Sequence, residues 1–66
     1  MLKTILNELR TAKGISQDEL ANLVGVRRET ILRLEKGLYN PSLKLAMDIA
    51  KVFDKTVEEV FEFIDD

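Results

Sequence analysis

The amino-acid sequence predicts an all-α domain built from five helices. Apolar residues recur at the three- and four-residue spacing of a helix, and no segment alternates with the two-residue period of a strand. Two Ser/Thr-x-x-Glu sequences, typical of a helix N-terminus, begin at Ser16 and Thr56. Each of the three glycines follows an apolar helical stretch, where a helix commonly ends. A chain of 66 residues has room for one domain, so residues 1–66 are predicted to form a single unit.

The first two helices are predicted over residues 2–13 and 17–24. The apolar stripe of the first helix consists of Leu2, Ile5, Leu6 and Leu9. Gly14 follows it and can take the left-handed backbone that often ends a helix. A capping box opens the second helix, because the Ser16 hydroxyl can accept from a free backbone amide while the Glu19 carboxylate reaches back.

The remaining three helices are predicted over residues 28–36, 43–53 and 57–64. Ile31 and Leu34 form the inward face of the third helix, which ends at a glycine. The fourth helix follows a loop containing Pro41, because the residue before a proline is pushed away from helical geometry. Ser42 is predicted to cap the fourth helix, and the second capping box opens the fifth.

The composition excludes several kinds of site. The chain has no Cys and no His, which removes disulfides, thiolate metal ligands and the commonest acid/base catalyst. The acidic residues near the C-terminus have the pattern of a solvated surface, and they are Glu58, Glu59, Glu62, Asp65 and Asp66. We therefore expect no enzyme, no metal and no cofactor. No apolar run approaches the roughly 20 residues of a membrane span and no signal peptide is evident, which predicts a soluble cytoplasmic protein.

The net charge of −2 conceals an uneven distribution of charged side chains. Residues 1–40 carry seven basic and five acidic side chains, a net charge of +2, whereas residues 41–66 carry three basic and seven acidic ones, a net charge of −4. Four of the 10 basic residues lie in the segment GVRRETILRLEKG, and they are Arg27, Arg28, Arg33 and Lys36. The overall charge disfavours a polyanionic partner, but this segment favours one for the first half of the chain.

The second and third helices have the proportions of a helix-turn-helix over residues 16–36. The segments SQDELA, GV, TI, EKG and NPSLKLAMDIAKVF, followed by VEEVF, resemble the Cro/CI-type (Xre-type) regulators related to phage repressors. The resemblance covers residues 4–63 and rests on the order and spacing of these segments together. It implies a five-helix fold like the lambda repressor DNA-binding domain, with double-stranded DNA as the partner.

The outer face of the third helix carries the candidate base-reading residues. On a helical wheel, the side opposite the core carries Glu29, Arg33 and Lys36. Leu32 lies on the flank of this cluster, and Arg28 stands at the start of the helix. Arginine is the commonest specific reader of guanine, so Arg28 and Arg33 are predicted to contact bases, although a solvated helix face is the alternative. Glu29 can accept from cytosine or pair with Arg33 four residues on, and we expect the pair to form at least part of its role. Leu32 is either a contact to a thymine methyl group or a singly exposed leucine.

A second set of residues is predicted to contact the DNA backbone. It consists of Gln17, Arg27, Asn40, Ser42 and Lys44. The resemblance implies this role for Gln17, which lies at a helix N-terminus, where phosphates are favoured; ordinary helix surface is its alternative. Ser42 can equally serve as a cap. Arg27 stands where the family often has a capping serine, so the third helix either begins less firmly or gains a phosphate contact.

Two further predictions concern structure and assembly. The resemblance implies an ion pair between Arg10 and Glu35 that joins the first helix to the third. Phe63 lies about 200° from Phe61 on a helical wheel and therefore outside the apolar stripe of the fifth helix. A homodimer interface is predicted at Leu38, Phe63 and Ile64. The alternative for Phe63 is a position over the domain's own core or at an exposed terminus.

Three classes of function follow from these patterns. The favoured one is a sequence-specific DNA-binding regulator, with repression preferred over activation, that binds a palindromic operator as a dimer and needs no small-molecule effector. The alternative is a protein-interaction or antitoxin-like module that uses the acidic, apolar C-terminal helix. An enzyme is disfavoured because the chain lacks His, Cys and a Gly-rich phosphate loop.

Overall fold

The computed structural model describes residues 2–64 and confirms the five-helix fold, to which two short strands are added. Asp65 and Asp66, which the sequence assigns to an acidic tail, lie outside the described residues. The elements in chain order are β1 (Leu2–Thr4), α1 (Leu6–Lys13), α2 (Gln17–Val24), α3 (Arg28–Glu35), α4 (Leu43–Val52), α5 (Val57–Val60) and β2 (Phe61–Phe63).

Helices α2 and α3 form the helix-turn-helix, and local sequence accounts for their ends. At the start of α2, the Glu19 amide donates to the Ser16 hydroxyl over 3.0 Å, and the Ser16 amide donates to the Glu19 carboxylate over 3.0 Å. This capping box is the predicted one. Arg27 occupies the cap position of α3 without a side-chain hydrogen bond to the helix, so no side chain caps the start of α3.

The first and fifth helices are shorter than predicted. Leu2–Thr4 and Phe61–Phe63 are strands that pair antiparallel, with Leu2 opposite Phe63. Backbone pairing between distant parts of the chain replaces local helical hydrogen bonds here, and the Ile5 amide donates to the Val60 carbonyl over 3.3 Å. Three-residue strands are too short to show a two-residue period, so the sequence pattern missed them. The acidic C-terminal helix proposed as a partner-binding element is reduced to the four residues of α5.

The strand geometry also changes the position of Phe63. Side chains two residues apart lie on the same face of a strand, so Phe61 and Phe63 share a face and are not 200° apart. Phe61 is buried in the core, whereas Phe63 extends beyond the core's edge and is 57% exposed. The helical-wheel argument that set Phe63 apart from Phe61 is therefore wrong, and Phe63 is exposed because it extends beyond the core.

The core is built from all five helices and both strands. Its fully buried side chains are Leu6, Leu20, Ile31, Leu34, Ile49 and Val60. Through this core α2 packs against both α3 and α4, and α1 packs against α3, so the outer face of α3 is presented on a packed scaffold. Within residues 2–64, no helix is long and apolar enough to cross a lipid bilayer.

The end of α3 packs against the backbone of β1. Gly37 has a positive φ of 73°, and a Cβ atom added to it would lie 2.5 Å from the Leu2 carbonyl oxygen. Only a residue without a side chain fits at this distance. The strand pairing between the chain's two ends is thereby tied to the last turn of α3.

Candidate nucleic-acid interface

The outer face of α3 is exposed as the helical wheel predicts. Ile31 and Leu34 are fully buried against the core. The exposed residues on and beside α3 are Arg27, Arg28, Glu29, Leu32, Arg33 and Lys36. The side chains predicted to contact bases therefore lie together on one solvent-facing surface, which has the shape and position of a helix offered to the major groove.

This surface is more basic than the sequence of α3 alone indicates. Of the two glutamates on α3, Glu29 is exposed, whereas the Glu35 side chain is only 4% exposed and is paired with Arg10. The pairing neutralises one of the two negative charges of α3. Four basic side chains, those of Arg27, Arg28, Arg33 and Lys36, are left facing solvent beside Glu29 alone.

Arg10 and Glu35 form a nearly buried ion pair between α1 and α3. The Arg10 Nε donates to Glu35 Oε2 over 2.7 Å, and an Arg10 Nη donates to Oε1 over 3.3 Å. Burial by itself raises the pKa of Glu35, but the hydrogen bonds from Arg10, Gln17 and Asn7 outweigh it, so this pKa lies below its ordinary value. The hydrogen bond to Glu35 raises the pKa of Arg10. Both groups are therefore charged in the folded protein at neutral pH.

Gln17 connects this ion pair to the exposed face of α3. Its Nε2 donates to Glu35 Oε1 over 3.1 Å, and its Oε1 accepts from Arg28 Nε over 3.3 Å. The side chain is half-buried at the start of α2, between the two elements of the motif. Ser16, Gln17 and Arg28 line the same shallow depression, which also reaches Arg10 and Asp18.

The predicted pairing between Glu29 and Arg33 does not occur. Within residues 2–64 the ion pairs are Arg10–Glu35 and Lys44–Asp48. Both α3 side chains are exposed, where an ion pair four residues apart gains about 0.3–0.5 kcal/mol and must order two long side chains. That small gain explains why the prediction is wrong, and it leaves Arg33 unrestrained by Glu29.

The start of α4 carries three of the predicted phosphate contacts. Ser42 is its cap, since the Leu45 amide donates to the Ser42 hydroxyl over 3.1 Å. Lys44 is highly exposed and pairs with Asp48 over 2.7 Å. Asn40 is exposed in the preceding loop.

The predicted dimer residues lie near β1. Leu38 follows Gly37, which packs on the Leu2 carbonyl, and Phe63 lies opposite Leu2 in the sheet. Leu38 is 65% exposed, and Ile64 is half-buried. Phe63 and Gly37, the residue before Leu38, thus both lie next to Leu2.

Two side chains that bond to these residues escaped the sequence analysis. Asn7 donates to Glu35 Oε1 over 3.1 Å, and Asp48 pairs with Lys44. The Lys44–Asp48 spacing of four residues on a helix was a visible signal. Asn7 had none, because its partner lies 28 residues away. Among the described residues, no group of three or more acidic side chains is placed to hold a metal ion.

Comparison with known proteins places this arrangement in a family. A family model described as Helix-turn-helix matches residues 6–60. An uncharacterised HTH-type transcriptional regulator of Archaeoglobus fulgidus is 54% identical over 65 residues, covering 98% of this chain and 93% of the relative. The uncharacterised HTH-type transcriptional regulator YgzD of Bacillus subtilis is 47% identical over 60 residues, covering 91% of each chain.

Solved structures agree with these sequence matches. The restriction-modification controller protein C.AhdI from Aeromonas hydrophila superposes with a TM-score of 0.74 and 42% identity, covering 82% of each chain. The clp gene regulator ClgR from Corynebacterium glutamicum gives a TM-score of 0.74 at 26% identity, covering 82% of this chain and 57% of that one. The chain therefore belongs to the Xre-type helix-turn-helix family, and α2 and α3 are the helices of its DNA-binding motif.

Proposed function

We propose that the protein is a sequence-specific double-stranded DNA-binding regulator, acting as a repressor, that inserts α3 into the major groove. The observation that carries the proposal is the exposed face of α3, where four basic side chains stand beside a single acidic one. Lys and Arg neutralise phosphates, and arginine reads guanine edges. Because the proposed partner is DNA, we expect the protein in the cytoplasm of a cell whose DNA is not enclosed in a nucleus.

The relatives support a regulatory role. The proteins matched in Archaeoglobus and Bacillus are named as transcriptional regulators, and C.AhdI is named as a restriction-modification controller. Those names describe the relatives, and the shared fold and the high identity extend the regulatory role to this chain as a proposal. Regulation by DNA binding requires no catalytic reaction.

Phosphate contacts on both sides of α3 complete the proposal. Gln17 opens α2 and Lys44 lies in the first turn of α4, and helix N-termini favour phosphate through free amides and the helix dipole. Asn40, Ser42 and Arg27 contribute further polar groups. The ion pair of Lys44 with Asp48 is exposed, so a phosphate can replace Asp48 at little cost.

Base-reading and phosphate-binding residues are expected to respond differently to substitution. Arg28→Ala and Arg33→Ala should each weaken binding to the preferred duplex by about 1–3 kcal/mol and relax the preference at one base position. Lys44→Ala should weaken binding to every duplex alike and reduce the slope of log affinity against log salt by about one. The preferred sequence is first selected from random duplexes, and affinities are then measured across a salt series.

Each of these expectations can be contradicted independently of the others. Full sequence discrimination in both arginine variants would show that α3 does not read bases. A base-specific loss in Lys44→Ala would show that this lysine is not a phosphate contact. Absence of any sequence preference in the unmodified protein would overturn the proposed function itself.

We further propose that two copies bind a palindromic operator through Leu38, Phe63 and Ile64. One recognition helix contacts only a few base pairs, and a twofold dimer doubles the sequence that is read, with half-site centres about 10 base pairs apart. Leu38 and Phe63 are both largely exposed, and Phe63 and Gly37, the residue before Leu38, lie next to Leu2 of β1. Exposed aromatic and aliphatic side chains at one place are typical of an interface.

Phe63→Asp is expected to abolish cooperative loading of two copies on a palindromic duplex, because a carboxylate cannot be buried there without a partner. Leu23→Asp is the matched control, since Leu23 is 62% exposed on α2 and belongs to no part of the proposed dimer surface. Sedimentation with and without the duplex measures both variants. Unchanged cooperativity in Phe63→Asp would remove this surface as the interface.

A further inference from the structure

We propose that Glu35 is a positioning residue for base recognition, which holds Arg28 in one orientation by acting through Gln17. This inference rests on the proposed function, because it assigns how a base-reading side chain is aimed. Glu35 itself is nearly buried and lies on the inner side of α3, so the effect is transmitted by hydrogen bonds and not by contact with DNA.

The first step is the anchoring of the Glu35 carboxylate. Arg10 contacts both of its oxygens, at 2.7 Å and 3.3 Å, and Asn7 donates to Oε1 over 3.1 Å. With only 4% of the side chain exposed, the carboxylate has one position in the folded protein. It is also ionised, because its hydrogen bonds favour the charged form.

The second step is the orientation of the Gln17 amide. An ionised carboxylate can only accept hydrogen bonds, so the end of the amide that faces Glu35 must be the nitrogen. The contact from Gln17 Nε2 to Glu35 Oε1 is 3.1 Å. The amide oxygen is consequently turned away from Glu35 and towards the start of α3.

The third step is the placement of Arg28. Its Nε donates to Gln17 Oε1 over 3.3 Å. This contact uses one of the five guanidinium N–H groups and leaves both Nη nitrogens for a bidentate pair with a guanine. A side chain held this way before DNA arrives loses less conformational freedom on binding and has fewer ways to contact a wrong base.

The alternative is that Gln17 and Arg28 merely satisfy the polar groups around the ion pair. Sequence discrimination separates the two explanations, because it is a ratio of affinities for two duplexes. A variant that is partly unfolded binds every duplex more weakly by the same factor, so the ratio does not change. Loss of Gln17's own phosphate contact likewise affects all sequences alike.

The test measures binding of the full chain to the preferred duplex and to each single-base substitution of it. Gln17→Met keeps the length of the side chain and removes both hydrogen bonds, and Glu35→Gln keeps the shape of the carboxylate and removes its charge. Both should reduce discrimination about tenfold at the position that Arg28→Ala relaxes, and at no other. Combining Gln17→Met with Arg28→Ala should give no further loss there.

Glu58→Gln is the matched control, because it removes an exposed carboxylate on α5, outside the proposed DNA and dimer surfaces, and should leave discrimination unchanged. Intact discrimination in Gln17→Met and Glu35→Gln, with Arg28→Ala still relaxed, would overturn this inference and leave the proposed function standing. An additive loss in the double variant would also overturn it. If Arg28→Ala itself keeps full discrimination, Arg28 is not a reader and the inference falls with that assignment.

Discussion

Arg10→Ala is expected to destabilise the protein by about 3–5 kcal/mol, because it leaves the Glu35 carboxylate buried without its positive partner. A domain of this size has a free energy of unfolding of about 3–10 kcal/mol, so this loss removes about a third or more of it and unfolds the protein at the lower end of that range. Urea denaturation measures the difference. Loss of DNA binding in this variant would therefore report unfolding and not a missing DNA contact.

Two comparisons test whether burial of the Arg10–Glu35 ion pair causes the expected loss of stability. Asp48→Ala breaks the Lys44–Asp48 pair, which has the same 2.7 Å separation but side chains that are 86% and 30% exposed, and should cost at most about 0.5 kcal/mol. The double variant Arg10→Met with Glu35→Leu removes both buried charges and should be more stable than Arg10→Ala. Equal losses for the buried and exposed pairs would refute the explanation.

The same ion pair makes stability depend on pH. The pKa of Glu35 is lower in the folded protein than its ordinary value of 4.5, so the unfolded chain takes up this proton first as the pH falls. The contribution of the pair is complete above 4.5 and is lost as the pH falls through the lower pKa of the folded state. Acid denaturation of the Arg10→Met, Glu35→Leu variant should lack this component.

Gly37→Ala is expected to cost about 3 kcal/mol, since alanine tolerates the left-handed backbone poorly and its methyl group would displace β1. Gly14→Ala is the matched control, because Gly14 has a similar φ of 77° and open space where a Cβ would lie. It should cost only about 1 kcal/mol, from the backbone alone.

Urea denaturation of the two glycine variants gives the difference in their free energies of unfolding. Amide hydrogen exchange shows which part of the structure is destabilised. In Gly37→Ala, the Ile5 amide, which donates to the Val60 carbonyl, should exchange faster than in Gly14→Ala. Equal stability losses would show that β1 moves aside freely and that the end of α3 is not tied to the strand pair.

Much of the candidate interface could be predicted from the sequence, because it lies on one short helix. Ile31 and Leu34 fix which side of α3 faces the core, and the basic residues then fall on the opposite side. The Glu29–Arg33 pair was wrongly predicted from spacing alone. Spacing shows that two side chains can meet, but an exposed pair gains too little free energy to guarantee that they do.

The contacts around Glu35 show the limit of such reasoning. Its hydrogen-bond partners Asn7, Arg10 and Gln17 lie 28, 25 and 18 residues away along the chain. The Arg10 partnership followed from the family resemblance, whereas the link onward to Gln17 and Arg28 required the packed arrangement of α1, α2 and α3. No local pattern encodes it.

Local sequence was enough to predict the helix-turn-helix, its turn and the cap of α2, because each depends on residues within about four positions of one another. The Ser16 capping box and the glycine after each of the first three helices are examples. By contrast, the strands at residues 2–4 and 61–63, and the face that Phe61 and Phe63 share, arise from pairing between distant segments and could not be predicted locally. Contacts between helices likewise place Gln17 between Glu35 and Arg28. In each case, hydrogen bonds and packing between distant segments outweigh the local preference of the chain. This happens where a segment is too short to form a stable helix, and where side chains of different helices contact one another.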